Sequence, residues 1–273
     1  MIEENYVADT KRSTAIGLMS GTSMDGIDAA LVETDGHQVS AMGATAFIAY
    51  DPGFRDALRA LLVPNPERMA TYHHVVGELT ALHADAVEAL LVDAGMDRSQ
   101  VDVIGFHGQT VFHDPAQGLT CQLGDGQSLA NRTGIPVVAD FRSADVASGG
   151  QGAPFAPLYH AALAQSLDRP LAVLNIGGVA NVTWLGGNGE QDILAFDTGP
   201  GNALLDDWVS DHGRGGYDAN GALAASGTVN RDALAVLMTH PYFLQVPPKS
   251  LDRNSFDSTP VSSLSVEDGA ATL

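Results

Sequence analysis

The sequence predicts an α/β protein made of two similar halves that face each other. A unit of strand, glycine-containing bend, returning strand and third strand occupies residues 14–50 and recurs at residues 172–196. Helical patterns lie between the strand patterns along the chain. Because sites in α/β proteins usually lie between domains and at strand ends, we expect the chemistry to be near the two bends.

The first half begins with three apolar runs that predict strands at residues 14–19, 28–34 and 39–50. A short helix is predicted over residues 54–62, ending before Pro64. A longer helix is predicted over residues 71–94, with Gly95 as its stop. Its apolar residues share one face: Val75, Leu79, Leu82, Ala86, Leu90 and Leu91.

The middle of the chain predicts a strand at residues 101–106 that ends in "HGQT", then short strands at 121–123 and 136–141. The stretch "SGGQGAPFAP" is rich in glycine and proline and indicates a loop. We place a domain boundary there, which gives an N-terminal α/β domain at 14–150 and a C-terminal α/β domain at 151–273.

The second half begins with a predicted helix over residues 158–165. Strands follow at 172–176, 181–185 and 193–196. Asn202 is the predicted N-cap of a helix that starts in "NALLDDWV".

The charge balance of the chain excludes two classes of partner. Its 33 acidic residues against 13 basic ones give a formal net charge of −20, so it lacks the electrostatic footprint for nucleic acid or an anionic membrane. One cysteine, Cys121, rules out an internal disulfide and suits a reducing compartment. No secretory signal and no run of ~20 apolar residues is present, so we expect a cytoplasmic protein.

The first bend, within "IGLMSGTSMDGIDAALVETDG", has the composition of a phosphate-binding turn. Successive backbone N–H groups of a glycine-rich turn form an anion site, and Thr22 and Ser23 add hydroxyl donors. The Asp25 carboxylate is placed to hold the magnesium ion of a nucleotide, directly or through water. The alternative is an ordinary hairpin turn. A second bend at Gly177 and Gly178, in "NIGGVAN", favours a pair of phosphate loops.

Asp197, in "AFDTGPGN", follows an apolar strand and precedes two glycines that let the backbone approach a ligand closely. A carboxylate at a strand end that faces a cleft is a candidate general base. The alternative role of a helix cap suits Asn202 better.

Three polar clusters follow predicted strands: "HGQT" at 107–110, "DFRSAD" at 140–145 and "GGQGAP" at 149–154. Such groups suit sugar hydroxyls, and the planar fork of Arg142 suits a carboxylate. A structural ion pair of Arg142 with Asp140 or Asp145 is the alternative. For His107 the alternative is a hydrogen-bonded structural histidine. A zinc site is a weak hypothesis because the spacing shows no HExxH or CxxC motif; its candidates are His73, His74, His107 and His113.

Several blocks together resemble the anhydro-N-acetylmuramic acid kinases: "GLMSGTSMDGIDAALVETDG", "GFHGQTVFH", "DFRSADVASGGQGAPFAPLYH", "LNIGGVANVTWL", "FDTGPGNALLDDWV" and "HPYFLQVPPKSLDRNSFD". The resemblance implies two ribonuclease H-like halves of the sugar kinase, Hsp70 and actin type, with a cleft between them. It also implies a cytoplasmic, homodimeric enzyme of cell-wall (peptidoglycan) recycling. Such an enzyme uses ATP and water to open the ring of 1,6-anhydro-N-acetylmuramic acid and phosphorylates O6.

The resemblance also implies a role for each matched residue. Asp197 matches the catalytic base that activates the attacking water, and Arg142 is the candidate for the lactyl carboxylate of the sugar. The phosphate-binding segment matches Gly21, Thr22, Ser23, Met24, Asp25, Gly26, Ile27 and Asp28, with Gly177 and Gly178 in the second bend. The substrate-binding positions are His107, Asp140, Arg142, Gln151 and Gly152.

The sequence departs from this family at its end, because relatives continue further and complete the second half. We therefore expect an incomplete second half and a C-terminal truncation. Two other functions are considered. One is a catalytically inactive sugar-binding remnant of such a kinase. The other is a nucleotide-independent glycoside hydrolase, which leaves the two bends unexplained.

Overall fold

The computed structural model describes residues 12–21, 24–62, 69–187, 192–251 and 255–273. The chain forms two compact units that divide between Phe155 and Ala156. Both units combine helices with a β-sheet, so the predicted α/β class is confirmed. Within the described ranges, every helix is too short or too polar to span a bilayer.

The first unit carries a sheet with six strands in its described part. These strands are β1 (Ser13–Ser20), β2 (Gly26–Thr34), β3 (Val39–Ala49), β4 (Val103–Asp114), β5 (Leu119–Leu123) and β6 (Val137–Ala139). Their order is β3-β2-β1-β4-β5, and β6 pairs with β4. β4 runs parallel to β1 and β6, and its second part pairs antiparallel with β5. The ends of β1 and β6 therefore meet β4 near His107.

Four α-helices accompany this sheet in the described residues: α1 (Pro52–Ala60), α2 (Met69–Ala94), α3 (Gly126–Thr133) and α4 (Ser143–Ala147). α1 begins where the Asp51 side chain accepts a hydrogen bond from the Phe54 N–H group, as a helix N-cap does. α2 ends at Gly95, whose φ of +62° is the left-handed stop that glycine adopts readily. The buried face of α2, which includes Leu79 and Leu90, packs on the sheet and forms one core with strand residues such as Ile16 of β1.

The second unit contains an antiparallel three-stranded sheet, with β7 (Leu171–Ile176), β8 (Val179–Leu185) and β9 (Ile193–Pro200) in that order. Its helices are α5 (Ala156–Leu163), α6 (Asn202–Asp211), α7 (Ala222–Ser226), α8 (Arg231–Leu237) and α9 (Val266–Thr272). A small core joins Trp208 to Ala233, Val261 and Ala270. The indole N–H of Trp208 donates to the Val266 carbonyl at 2.9 Å, which fixes the start of α9 against α6.

Two strands continue beyond the ends predicted for them. The strand predicted to end at Phe106 extends to Asp114, because residues 109–114 pair with β5. The strand predicted to end at Phe196 extends to Pro200, which pairs with Val179 of β8. The prediction that "HGQT" and Asp197 lie at strand ends is therefore wrong, because backbone pairing continues through these polar residues.

The predicted cap of α6 is also wrong. Gly201 occupies the cap position, and Asn202 is the first residue of the helix. The Asn202 side-chain amide instead donates to the Ile176 carbonyl at 3.0 Å, so it ties the helix start to the end of β7.

Candidate active site

The first bend lies between Ser20 at the end of β1 and Gly26 at the start of β2. The Met24 N–H group donates to the Gly21 carbonyl at 3.1 Å and closes the turn. Asp25 exposes its side chain, and so does Asp28 on β2. The side chains of Met24 and Ile27 are buried in the core, so they serve packing. The predicted donors Thr22 and Ser23 lie outside the described residues.

Gly26 is explained by a close approach of the neighbouring strand. A Cβ atom at this position would lie 2.3 Å from the Ile48 carbonyl oxygen and 2.6 Å from the Phe47 ring. A real side chain does not fit there without moving β3. The glycine that the motif assigns to a ligand is therefore required by the packing of the sheet.

A buried hydrogen-bond chain fixes both ends of this bend. The Ser20 hydroxyl donates to Gln109 Oε1 at 2.5 Å, so its single proton is used and the Tyr50 hydroxyl donates to Ser20 at 2.7 Å. The Tyr50 N–H group also donates to the Asp25 carbonyl at 2.9 Å. Tyr50 therefore holds the bend at its start and at its end. Burial raises the pKa of Tyr50 to about 12, so the phenol stays protonated as a donor.

Sequence reasoning did not single out Ser20, Tyr50 or Gln109. All three are buried, and Gln109 connects the bend to β4, with His107 two residues away. A polar residue on the buried face of an otherwise apolar strand could have indicated this hydrogen-bond chain, since such a residue needs a hydrogen-bond partner.

The structure brings together three of the predicted substrate residues, His107, Arg142 and Gly152. Arg142 donates through Nε and Nη2 to His107 Nε2 at 3.1 and 2.8 Å, and through Nη1 to the Gly152 carbonyl at 2.6 Å. Arg142 also lies over the Phe155 ring, 5.3 Å from its centroid. Three hydrogen bonds use three of the five N–H donors of a guanidinium and leave two for a ligand.

His107 is held in one neutral tautomer. Its Nδ1 lies 2.7 Å from the Gly108 carbonyl and donates to it, while Nε2 accepts from Arg142. Burial lowers the pKa of His107, and the neighbouring Arg142 charge lowers it further. Burial also lowers the pKa of Arg142. With both ring nitrogens engaged, His107 serves to orient Arg142, and it cannot also bind zinc as the weak hypothesis required.

The two carboxylates beside Arg142 bind other partners. Asp145 accepts the Gly152 N–H at 2.6 Å, and Asp140 accepts the Ser143 hydroxyl at 2.5 Å. Neither carboxylate forms an ion pair with Arg142, so the alternative role of this arginine, a structural ion pair with Asp140 or Asp145, is wrong. Gly152 is buried with φ +64°, and a Cβ atom there would lie 2.6 Å from Val146. Gln151 is exposed.

Asp197 lies within β9, half-buried. Its Oδ2 accepts the Leu251 N–H at 2.8 Å, and its own N–H donates to the Lys249 carbonyl at 3.0 Å. The Tyr242 hydroxyl donates to the Asp197 carbonyl at 2.6 Å. Among the described residues no hydrogen bond is recorded to the other carboxylate oxygen, Oδ1, whereas Oδ2 already accepts one N–H group, so Oδ1 is the better placed of the two to take a proton.

The second bend turns its carbonyl oxygens toward the start of α6. The Gly178 carbonyl accepts from Gly201 at 3.1 Å and Ala203 at 3.2 Å, and the Gly177 carbonyl accepts from Asn202 at 2.7 Å. A Cβ atom on Gly201 would lie 2.2 Å from the Gly177 oxygen, so this contact requires a glycine. These three N–H groups are therefore not donors for a phosphate, although the N-terminus of a helix often supplies such donors.

The described residues contain no group of three or more histidine, cysteine or acidic side chains that could hold a metal ion. A magnesium ion carried by a nucleotide needs fewer protein ligands, because one or two carboxylates together with phosphates and water satisfy it. The exposed Asp25 carboxylate fits that limited requirement.

Comparison with known sequences identifies the class of this protein. The sequence profile described as "Anhydro-N-acetylmuramic acid kinase" matches residues 13–263. A protein of that name from Methylobacterium nodulans is 52% identical over 95% of this chain and 74% of its own length. The relative from Rhodospirillum rubrum is 54% identical over 95% and 68%, and the one from Acidiphilium cryptum is 52% identical over 95% and 72%.

These relatives share the name of one kinase, so this protein belongs to the kinase class of enzymes. More particularly, the chain belongs to the anhydro-N-acetylmuramic acid kinase family. The comparisons give no support to an inactive sugar-binding protein. Among solved structures, component A of (R)-2-hydroxyglutaryl-CoA dehydratase from Acidaminococcus fermentans is similar with a TM-score of 0.40 at 12% identity. The similarity covers 79% of this chain and 60% of that one.

Proposed function

We propose that this protein uses ATP and water to convert 1,6-anhydro-N-acetylmuramic acid into N-acetylmuramic acid 6-phosphate. The observation that carries the proposal is identity above 50% to kinases of that name across 95% of the chain. The chemistry has two parts. Water attacks the anomeric carbon as the bond from that carbon to O6 breaks, and O6 takes the γ-phosphoryl group of ATP while ADP leaves.

Asp197 is the general base in this proposal. A base must present an unoccupied lone pair within hydrogen-bond reach of the water. Oδ2 is held by the Leu251 N–H group, which leaves Oδ1 to accept the proton of the attacking water. The proton passes to solvent after the ring has opened.

The two bends are proposed to hold the phosphates of ATP. The segment from Gly21 to Asp28 supplies backbone N–H groups, with the hydroxyls of Thr22 and Ser23, and Asp25 supplies a carboxylate for Mg²⁺. In the second bend the N–H groups of Gly177 and Gly178 are the proposed donors, because the first N–H groups of α6 are already bonded to the carbonyls of this bend. When bound, the magnesium ion neutralises the charge that develops on the phosphates.

Arg142 is proposed to bind the lactyl carboxylate of the sugar. Its guanidinium is half-buried and is oriented by His107, Gly152 and Phe155, so little side-chain freedom remains to be lost on binding. Two unused N–H donors suit the two oxygens of a carboxylate. Asp140 and Gln151 are proposed to contact the sugar directly, and Gly152 is proposed to act through its carbonyl, which holds Arg142.

The remaining features of the proposal concern fold and setting. We propose that residues 14–150 and 151–273 are two ribonuclease H-like halves. We also propose a cytoplasmic homodimer that acts in peptidoglycan recycling. A net charge of −20 is consistent with small-molecule partners and with the absence of nucleic acid as a partner.

The test is a coupled assay for ADP release with 1,6-anhydro-N-acetylmuramic acid. We expect turnover by the wild type, and a loss of kcat of at least about 100-fold in Asp197→Asn, since an amide cannot take the proton. Asp211→Asn, at an exposed position on α6, is the matched control. Full activity of Asp197→Asn contradicts the assigned role. Sugar binding by calorimetry without any turnover supports the inactive alternative.

A further inference from the structure

Of the segment 240–251, "HPYFLQVPPKSL", the proposed function uses only the Leu251 N–H group, which binds Asp197 Oδ2. Its sequence belongs to one of the blocks that resemble the kinase family. In the structure it begins with a 3-10 helix at Pro241–Leu244 and then passes along β9.

This segment supplies three hydrogen bonds to Asp197, two to its main chain and one to its carboxylate. Lys249 accepts the Asp197 N–H with its carbonyl, Tyr242 donates its hydroxyl to the Asp197 carbonyl, and Leu251 donates its N–H to Oδ2. Both the main chain and the carboxylate of Asp197 are therefore bound to one segment. Three contacts at one residue fix its position and the direction of its carboxylate.

The segment is in turn held together by Lys249 and Tyr242. The Lys249 Nζ donates to the Tyr242 carbonyl at 3.0 Å and lies 4.3 Å from the centroid of the Tyr242 ring. Tyr242 is only 3% exposed, and its ring packs against Phe243 and Phe256. Lys249 is one of two lysines in the chain, and its ammonium closes the segment into a loop over a buried aromatic ring.

We propose that Tyr242 and Lys249 are positioning residues that aim the Oδ1 atom of Asp197 at the attacking water. The inference rests on the proposed function, in which Asp197 is the base. Neither residue needs to touch the substrate. Tyr242 fixes the main chain of Asp197, and Lys249 fixes Tyr242 and the path of the chain to Leu251.

The magnitude follows from how strongly catalysis depends on geometry. A productive base is held to within about 0.5 Å, and a displacement of about 1 Å costs on the order of 100-fold in rate. Removing one of three contacts leaves the other two in place. We therefore expect Tyr242→Phe to lower kcat about tenfold, with KM for both substrates changed less than twofold.

The experiment compares Tyr242→Phe, Lys249→Met and Lys249→Arg in the coupled assay. Tyr217→Phe removes the same hydroxyl at a 66% exposed site and is the matched control. We expect Lys249→Met to lower kcat as Tyr242→Phe does, and Lys249→Arg to restore most of it, because a guanidinium also donates to a carbonyl and stacks on a ring. Each variant is also made in the Asp197→Asn background, where Tyr242→Phe should have less than a twofold further effect.

A readout that does not depend on activity is the hydrogen exchange of the Leu251 amide, which donates to Asp197. We expect faster exchange in Tyr242→Phe and Lys249→Met and no change in Tyr217→Phe. The proposal is overturned if Tyr242→Phe keeps wild-type kcat, if its loss is equally large in the Asp197→Asn background, or if Leu251 exchange is unchanged. Full activity of Asp197→Asn alone refutes the proposed function instead, and the Leu251 exchange still tests the positioning.

Discussion

His83 should make the stability of the first unit depend on pH. It lies on α2 with its side chain fully buried, and its ring packs against Phe106 with the ring centroids 4.8 Å apart. Its Nδ1 donates to the Leu79 carbonyl at 2.8 Å, while Nε2 has no hydrogen-bond partner in the described residues. A proton added at Nε2 would bring a charge into an apolar core. Burial accordingly lowers the pKa of His83 to about 4.

The size of the effect follows from linkage. In the unfolded chain the imidazole has its ordinary pKa of about 6.5, so between that pH and pH 4 the unfolded state binds a proton that the folded state does not. The free energy of unfolding therefore falls as the pH falls through this window. At about 1.4 kcal/mol per pKa unit, the full difference is about 3 kcal/mol, complete below pH 4.

The assay is urea unfolding of the wild type and of His83→Leu at several pH values from 7.5 to 4. Leucine has no proton to gain, so the variant should lose about 3 kcal/mol less than the wild type over this range. The same substitution at exposed His73 on α2 is the control for exchanging histidine for leucine on this helix. If the stability curves of wild type and His83→Leu run parallel, the buried histidine does not titrate as the structure requires.

Three further predictions concern the bend and Arg142. Gln109→Leu removes the acceptor of the buried Ser20 hydroxyl and should lower the free energy of unfolding in urea by about 2–3 kcal/mol. Tyr50→Phe leaves the Ser20 hydroxyl with its acceptor and should lower it by about 1 kcal/mol. Equal losses of stability in the two variants contradict the assigned donor directions. Gly26→Ala should lower Tm, because its Cβ atom meets the Ile48 carbonyl at 2.3 Å, and an unchanged Tm refutes this. Arg142→Lys should raise KM for the sugar that bears the lactyl group more than for an analogue without it, and equal kinetic losses for both sugars rule out the carboxylate contact.

The fold was predictable where apolar residues follow a clear period. The strands of the first unit and the long helix α2 follow the alternation and the apolar stripe of the sequence, and Gly95 ends the helix as expected. The extent of β4 was not predictable in this way. Gln109 is polar, which indicates a strand end, yet it is fully buried because Ser20 and the Thr110 carbonyl bind its amide.

The residue types of the site were predictable from the sequence, whereas their hydrogen-bond partners were less so. The structure brings His107, Arg142 and Gly152 together, but it uses His107 as an acceptor for the guanidinium. The contacts of Asp197 come from Tyr242, which lies 45 residues further along the chain, and Leu251, which lies 54 residues further along. No spacing rule covers a contact of that range, because tertiary packing decides which loop passes beside a strand.

The role of Asn202 is also decided by tertiary packing, in this case between neighbouring elements. As a side chain it is a good N-cap, so local propensity favours it at the start of α6. The carbonyls of Gly177 and Gly178 already accept the first N–H groups of the helix, and a side-chain cap is not needed. The Asn202 amide is then used to bind Ile176.

In the proposed reaction, ring opening by water and phosphorylation by ATP occur together at a site that depends on Asp197. The most direct measurement is mass spectrometry of the product formed from 1,6-anhydro-N-acetylmuramic acid and ATP in ¹⁸O-labelled water. We expect a sugar phosphate with one ¹⁸O atom at the anomeric carbon and an unlabelled phosphate, formed only with ATP and lost in Asp197→Asn. Release of unphosphorylated N-acetylmuramic acid without ATP, or label in the transferred phosphate, would contradict it.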